Sequence, residues 1–195
     1  MLYLAESKKV VVVGIPGVGK TTLINKIVEL LEDNNKSVQV KNFGTVMFEV
    51  AKEQGIVDRD ELRKLSISDQ KNLQKTAAEK LSKIDDDVLI IDTHAFIRTP
   101  EGLNPGLPYY ILKIIEPTHF IIVTAQTEEI YNRRMKDETR NRDKASIATI
   151  KKELDIQSAM MSACSVLSGS PLRTIQNNEG KLEEAANQII ESIGL

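Results

Sequence analysis

One short stretch constrains what this chain can become: Gly14-Ile15-Pro16-Gly17-Val18-Gly19-Lys20-Thr21, with Thr22 next. It matches G-x-x-x-x-G-K-[ST], the P-loop pattern. Before it runs a β-branched segment, Val10-Val11-Val12-Val13. After it, Leu23, Ile24, Ile27, Val28 and Leu31 recur at helical spacing. The context is therefore strand, tight loop, helix, as the pattern requires. Glycines allow backbone N–H groups to turn inward around phosphate oxygens, and the helix N-terminus adds partial positive charge. Gly14, Ile15, Pro16, Gly17, Val18, Gly19, Lys20, Thr21 and Thr22 are thus the expected nucleoside triphosphate contacts. Lys20 is placed to reach the β- and γ-phosphates, and the Thr21 hydroxyl is suited to ligate Mg²⁺.

The use made of such a site depends on the rest of the chain. Its 195 residues suit one domain, and 41% apolar with 28% charged residues is ordinary for a globular chain. A net charge of −2 gives no broad basic field for nucleic acid. The single cysteine, Cys164, excludes an internal disulfide or a cysteine zinc site and reads as core. It shares helical spacing with Met160, Met161 and Leu167. No apolar run reaches the ~18 residues of a membrane span, and Met1–Ser7 is too short for a signal segment. A cytoplasmic location is the expectation. Asp85-Asp86-Asp87 reads as a solvated turn between helix and strand.

Apolar periodicity predicts five strands alternating with helices. The strands are expected over Lys9–Val13, Ser37–Asn42, Asp87–Asp92, Phe120–Thr124 and Leu172–Gln176. Helices are expected over Lys20–Glu32, Thr45–Gln54, a short piece in Asp58–Leu65, Ser68–Ile84, Pro108–Ile115, from Thr127, Lys144–Leu167 and Lys181–Ile193. Thr93–Pro108, rich in Pro and Gly, reads as a long loop. The expected fold class is α/β: a five-stranded parallel sheet with helices on both faces. Ligands then sit past the carboxyl ends of the strands, where Gly14, Asp92, Thr124 and Asn177 share one edge.

Asp92 closes an apolar strand and reads either as a Mg²⁺ acid or as a strand-end turn residue; the P-loop favours the metal role. Arginines are placed on that same side: Arg63, Arg98, Arg133 and Arg134, and then Arg140 and Arg142 in a short polar connector over Asp137–Asp143. One triphosphate needs few of them. Transfer of a phosphoryl group between two nucleotides must hold more phosphates and spread more transition-state charge. His94 reads as a substrate contact or as a structural hydrogen-bonding residue.

The chain resembles the archaeal type of adenylate kinase across its length. The resemblance is carried by Gly14–Thr22, Asn42-Phe43-Gly44-Thr45-Val46-Met47, Arg59-Asp60-Glu61-Leu62-Arg63-Lys64-Leu65, Ile91-Asp92-Thr93-His94, Pro105-Gly106-Leu107-Pro108 and Thr139-Arg140-Asn141-Arg142-Asp143. It implies the reaction of Mg-ATP with AMP to give two ADP, a cytoplasmic location and a homotrimer. It implies one P-loop kinase domain over 1–195, with an acceptor-nucleotide segment near 43–84 and a short lid near 136–143. Gly44, Thr45, Arg63, His94, Arg98 and Gly106 are then the expected acceptor contacts. Lys20, Arg133, Arg134, Arg140 and Arg142 are the expected catalytic charges, and Thr21 and Asp92 the expected Mg²⁺ ligands.

The match to common bacterial and eukaryotic adenylate kinases is partial. Where those carry an arginine four residues after the glycine of the acceptor helix, this chain has Phe48. Where they carry Gly-Phe-Pro-Arg, it has Gly106-Leu107-Pro108-Tyr109. Arg63 and Arg98 are the candidates to supply the two missing charges. The alternative function is another small-substrate P-loop kinase acting on CMP, UMP or a different acceptor. A GTPase would need N/T-K-x-D, which is absent. An RNA-binding factor would need a stacking platform that four scattered phenylalanines do not give.

Overall fold

The computed structural model describes residues 7–58, 61–136 and 146–195. Five parallel strands form the main sheet: β1 (Lys8–Val13), β2 (Val38–Asn42), β3 (Val88–Thr93), β6 (His119–Thr124) and β7 (Leu172–Gln176). Two short strands, β4 (Phe96–Thr99) and β5 (Gly102–Pro105), stand apart from it. The order in the main sheet is β2-β3-β1-β6-β7. The helices are α1 (Lys20–Asp33), α2 (Phe43–Glu53), α3 (Ile67–Ser82), α4 (Tyr109–Ile115), α5 (Thr127–Lys136), α6 (Ile147–Ser168) and α7 (Leu182–Ser192), with a 3-10 turn at Glu61–Lys64.

The period-2 alternation of strand side chains divides the core into two layers. Val11, Val13, Leu89, Ile91, Phe120 and Ile122 pack on one face with residues of α2, α3, α4 and α6. Val10, Val12, Val88, Ile90, Ile121 and Val123 pack on the other with residues of α1 and α7. Register matches the layers: Val11 lies opposite both Ile91 and Phe120. Val10 through Val13 are at most 1% exposed, and full burial of such a side chain contributes roughly 1.5–3 kcal/mol. The strand order makes β1 the central strand, paired with β3 and β6, and so fixes where the loop after it emerges.

Thr93–Pro108 is not the featureless loop its composition suggests: β4 and β5 pair as an antiparallel hairpin. Its strands are short and largely exposed, so they carry no apolar alternation to read. The base of the hairpin is closed by Gly106 N–H, which donates to Ala95 O at 2.9 Å. Helix α2 starts at Phe43, earlier than expected, because Asn42 is its cap, its side chain accepting from Thr45 N. Leu167 does not share the buried face of Cys164; it is 56% exposed, because the sheet covers only the stripe through Ile150, Met161 and Cys164. The Asp85–Asp87 segment is more than a solvated turn. Asp87 Oδ2 accepts from Ser37 N (2.8 Å) and Ser37 Oγ (3.1 Å), and Asp86 Oδ2 accepts from Gln39 Nε2 (2.6 Å). These bonds hold the amino ends of β2 and β3 together. The Ser37 backbone N–H, then its hydroxyl, lowers the Asp87 carboxyl below the usual carboxylate range.

Candidate functional site

The loop from Gly14 to Gly19 leaves the carboxyl end of β1 and enters α1 at Lys20. Gly19 has φ of 78°, in the left-handed region, and a Cβ there would stand 2.6 Å from Asn177 Nδ2. No larger residue fits both demands. Helix α1 has no side-chain cap and no acidic residue in its first turn, whereas α2, α3 and α6 are capped by Asn42, Ser66 and Ser146. The first amide groups of α1 are therefore suited to an anion. Thr21 and Thr22 are exposed beside them.

Lys20 reaches across the edge to β3. Its Nζ donates to Thr93 O at 2.7 Å and lies against Asp92 Oδ1. Asp92 Oδ1 is buried with the Lys20 ammonium as its partner, while Oδ2 accepts from Asn42 Nδ2 at 2.9 Å. Asn42 stands opposite Asp92 in the sheet. Asn42 Oδ1 in turn accepts from Thr45 N (3.0 Å) and Thr45 Oγ1 (3.2 Å). The parallel register thus joins Lys20, Asp92 and Thr45 into one chain of contacts through Asn42, a residue that the sequence marks only as part of a motif. Its one signal was an Asn at the junction of strand and helix, a capping position.

Two arginines of α5 brace the loop from above. Arg134 Nε donates to Pro16 O at 2.7 Å, and its Nη2 pairs with Glu153 of α6 at 2.8 Å. Arg133 donates to Asn177 O at 3.2 Å from each terminal nitrogen and pairs with Glu129 at 3.0 Å. Asn177, 5% exposed, closes the circuit by donating from Nδ2 to Val18 O (3.0 Å) and Gly19 O (3.3 Å). Its place at the edge was expected; its grip on the loop was not, since a buried amide has no sequence signature.

Arg98 belongs to β4 and pairs with Glu153 Oε1 at 3.0 Å, the same carboxylate that holds Arg134. Gly106 packs so closely against the backbone of His94 that a Cβ there would overlap His94 O. His94 is exposed, and Gly44 lies half-buried in the first turn of α2. Arg63 belongs to the 3-10 turn, and its side chain lies outside what the structure describes. Arg140 and Arg142 also lie outside the described residues. Among those described, no three His, Cys, Asp or Glu side chains converge as a metal cage. A cation at this edge would rest on Asp92, the Thr21 hydroxyl and phosphate oxygens, an all-oxygen set of the kind Mg²⁺ takes.

Comparison with known proteins decides the lineage. A model of the AAA domain family matches residues 13–151. The adenylate kinase of Methanocaldococcus jannaschii is 41% identical over 188 residues, 95% of this chain and 98% of that protein. The adenylate kinase of Thermoplasma acidophilum is 40% identical over 186 residues, 95% of this chain and 98% of its own. The chain belongs to the adenylate kinase family. The fold is shared more widely: a shikimate kinase from Acinetobacter baumannii in complex with shikimate superposes with a TM-score of 0.56 at 14% identity. That match covers 97% of this chain and 94% of the other.

Within the adenylate kinase family, the two positions that depart from the common bacterial pattern have similar surroundings here. Lys52 Nζ stands 4.7 Å from the Phe48 ring centroid, one helical turn on. Lys113 Nζ stands 5.8 Å from the Tyr109 ring centroid, also one turn on. At each place a cation–aromatic pair occupies the spot where the common bacterial pattern has an arginine. No helix among the described residues is long and apolar enough to cross a membrane.

Proposed function

We propose that this adenylate kinase family enzyme transfers the γ-phosphoryl group of ATP to AMP, giving two ADP, with both nucleotides at the carboxyl edge of the sheet. The observation that carries the reading is the run of contacts Lys20–Asp92–Asn42–Thr45, which ties the triphosphate loop to the start of α2. In this reading Gly14 to Thr22 hold the donor phosphates through backbone N–H groups. Lys20 exchanges Thr93 O and Asp92 for phosphate oxygens and neutralises charge as it develops. Asp92 and the Thr21 hydroxyl hold Mg²⁺, which supplies charge neutralisation at the β- and γ-phosphates. The place of Asp92 supports that role: its buried Oδ1 is held by the Lys20 ammonium and becomes available to a cation as Lys20 turns to phosphate.

Acceptor binding falls to Gly44, Thr45, Arg63, His94, Arg98 and Gly106. No general base is needed, because the AMP phosphate is already ionised near neutral pH. Arg133 and Arg134 steady the donor loop, and Arg140 and Arg142 close over both phosphate chains from a lid near 136–143. The segment 43–84 forms the acceptor arm of the single domain. A cytoplasmic homotrimer is the assembly in which we expect the enzyme to work. Exposed Val166 and Leu167 on α6 support an apolar contact between copies.

A coupled assay with Mg-ATP and each of AMP, CMP, UMP and GMP tests the reading. The expected result is turnover with AMP far above the others, with two ADP formed per ATP consumed. Preferred turnover of CMP, UMP or a non-nucleotide acceptor would replace it.

A further inference from the structure

Glu153 belongs to no motif, yet it sits where three parts of the site meet. Its carboxylate is 12% exposed on α6 and takes a different arginine on each oxygen. Oε2 accepts from Arg134 Nη2 at 2.8 Å, and Oε1 accepts from Arg98 Nη2 at 3.0 Å. Arg134 is itself 10% exposed and anchored to the donor loop through Pro16 O at 2.7 Å. Arg98 is 57% exposed and comes from the outlying hairpin β4–β5.

A nearly buried carboxylate costs desolvation, which one well-placed partner can offset. Here Arg134 already does so. The second partner is the exposed guanidinium of a hairpin whose strands are mostly exposed. Two guanidinium groups around one carboxylate leave one net positive charge, held at the edge where acceptor phosphate must lie against donor phosphate. A planar guanidinium fork paired with a carboxylate gains a defined orientation.

We propose that Glu153 is a positioning residue that sets Arg134 and Arg98 in one shared orientation, linking the donor loop to the acceptor hairpin. It acts through the two arginines and touches neither nucleotide. The proposal rests on the reading of Arg98 as an acceptor contact. Loss of Glu153 leaves donor binding to the backbone of the loop and disturbs alignment of the acceptor phosphate.

The test compares Glu153→Gln, Glu153→Asp, Arg98→Gln and the double variant Glu153→Gln/Arg98→Gln in the full chain. Steady-state constants for ATP and AMP and thermal midpoints are measured for each. Glu153→Gln is expected to lower the midpoint, since the nearly buried Arg134 loses its counter-charge, and also to lower kcat about tenfold, raise the AMP KM several-fold and leave the ATP KM within about twofold. Glu153→Asp, which keeps the charge, recovers part of the loss. The effect of Glu153→Gln shrinks in the Arg98→Gln background, since residues of one network are not additive. A lowered midpoint with unchanged kinetics makes Glu153 a structural brace and overturns the proposal. If Arg98→Gln raises the AMP KM while Glu153→Gln changes no constant, the acceptor reading stands and the positioning role fails. If Arg98→Gln leaves the AMP KM unchanged, the acceptor reading of Arg98 fails and the linkage to the hairpin with it.

Discussion

The two halves of the site are built differently. The donor loop is gripped at several points: Asn177 holds Val18 O, Arg133 and Arg134 hold Gly17 O and Pro16 O, and Val18 and Ile15 are rooted in the core. Its useful groups are backbone amides, which need no side-chain ordering. The acceptor side is assembled from pieces that stand apart, namely the start of α2, the hairpin β4–β5 and the Gly106 junction. Most of the contacts proposed there are side chains, and Arg98 among them is largely exposed. A backbone cradle can be rigid before any ligand arrives. A set of exposed side chains orders on binding and so carries selectivity and closure. Changes to the loop should therefore appear in turnover, and changes to the hairpin in acceptor KM.

Lys20→Met breaks the donor half most directly. It keeps the stem and removes the charge that meets the phosphates. Turnover is expected to fall about 10²–10³-fold with the fold retained, read by the coupled assay alongside circular dichroism. Near-normal kcat in a folded variant would remove the loop from catalysis.

Asp92→Asn acts where the halves join. The Asn42 contact can persist, but the metal acid is lost. Half-saturation by Mg²⁺ is expected to rise about 10–100-fold, with activity partly restored by excess Mg²⁺. An unchanged Mg²⁺ dependence would assign Asp92 to structure alone.

Gly106→Ala tests the acceptor half. The new methyl meets His94 O, a backbone atom that cannot move without carrying the hairpin with it. Stability is expected to drop by about 1–3 kcal/mol, with the AMP KM raised more than the ATP KM. Equal changes in the two KM values would erase the distinction between the halves.

The smallest effect belongs at the opposite edge of the sheet, remote from both nucleotides. Asp87 has its carboxyl lowered by Ser37. A depressed carboxyl contributes stability that is present above its ordinary value and lost as pH falls through the folded one. Thermal melts of Asp87→Asn and the parent chain should therefore differ slightly at neutral pH and converge in acid. Kinetic constants should match throughout.

The donor half was legible in the sequence because its information is local. The glycines, Lys20 and Thr21 lie within one turn of chain, and the flanking valines and leucines declare strand and helix by period alone. The five strands were legible for the same reason: buried parallel strands such as Val88–Asp92 are continuous apolar runs. The acceptor half was not, because its information is relational. Asn42 matters through a register that sets it opposite Asp92. Glu153 matters through a contact with Arg98, 55 positions away; the donor half has one such relational residue too, Asn177, 159 positions from Val18. The hairpin β4–β5 has too little buried surface to impose alternation on its residues. Arg98 was picked out by charge and by its position after Asp92, and its partner could not have been named.

Whether two nucleotides meet at one edge, phosphate to phosphate, is read most directly by equilibrium titration with a dinucleotide in which two adenosines are joined through a chain of phosphates. This one molecule is expected to displace both ATP and AMP at a single site per chain and to bind about 10²–10⁴-fold more tightly than either alone. Displacement of only one nucleotide, or an affinity no better than that of ATP, would mean that donor and acceptor do not share that edge.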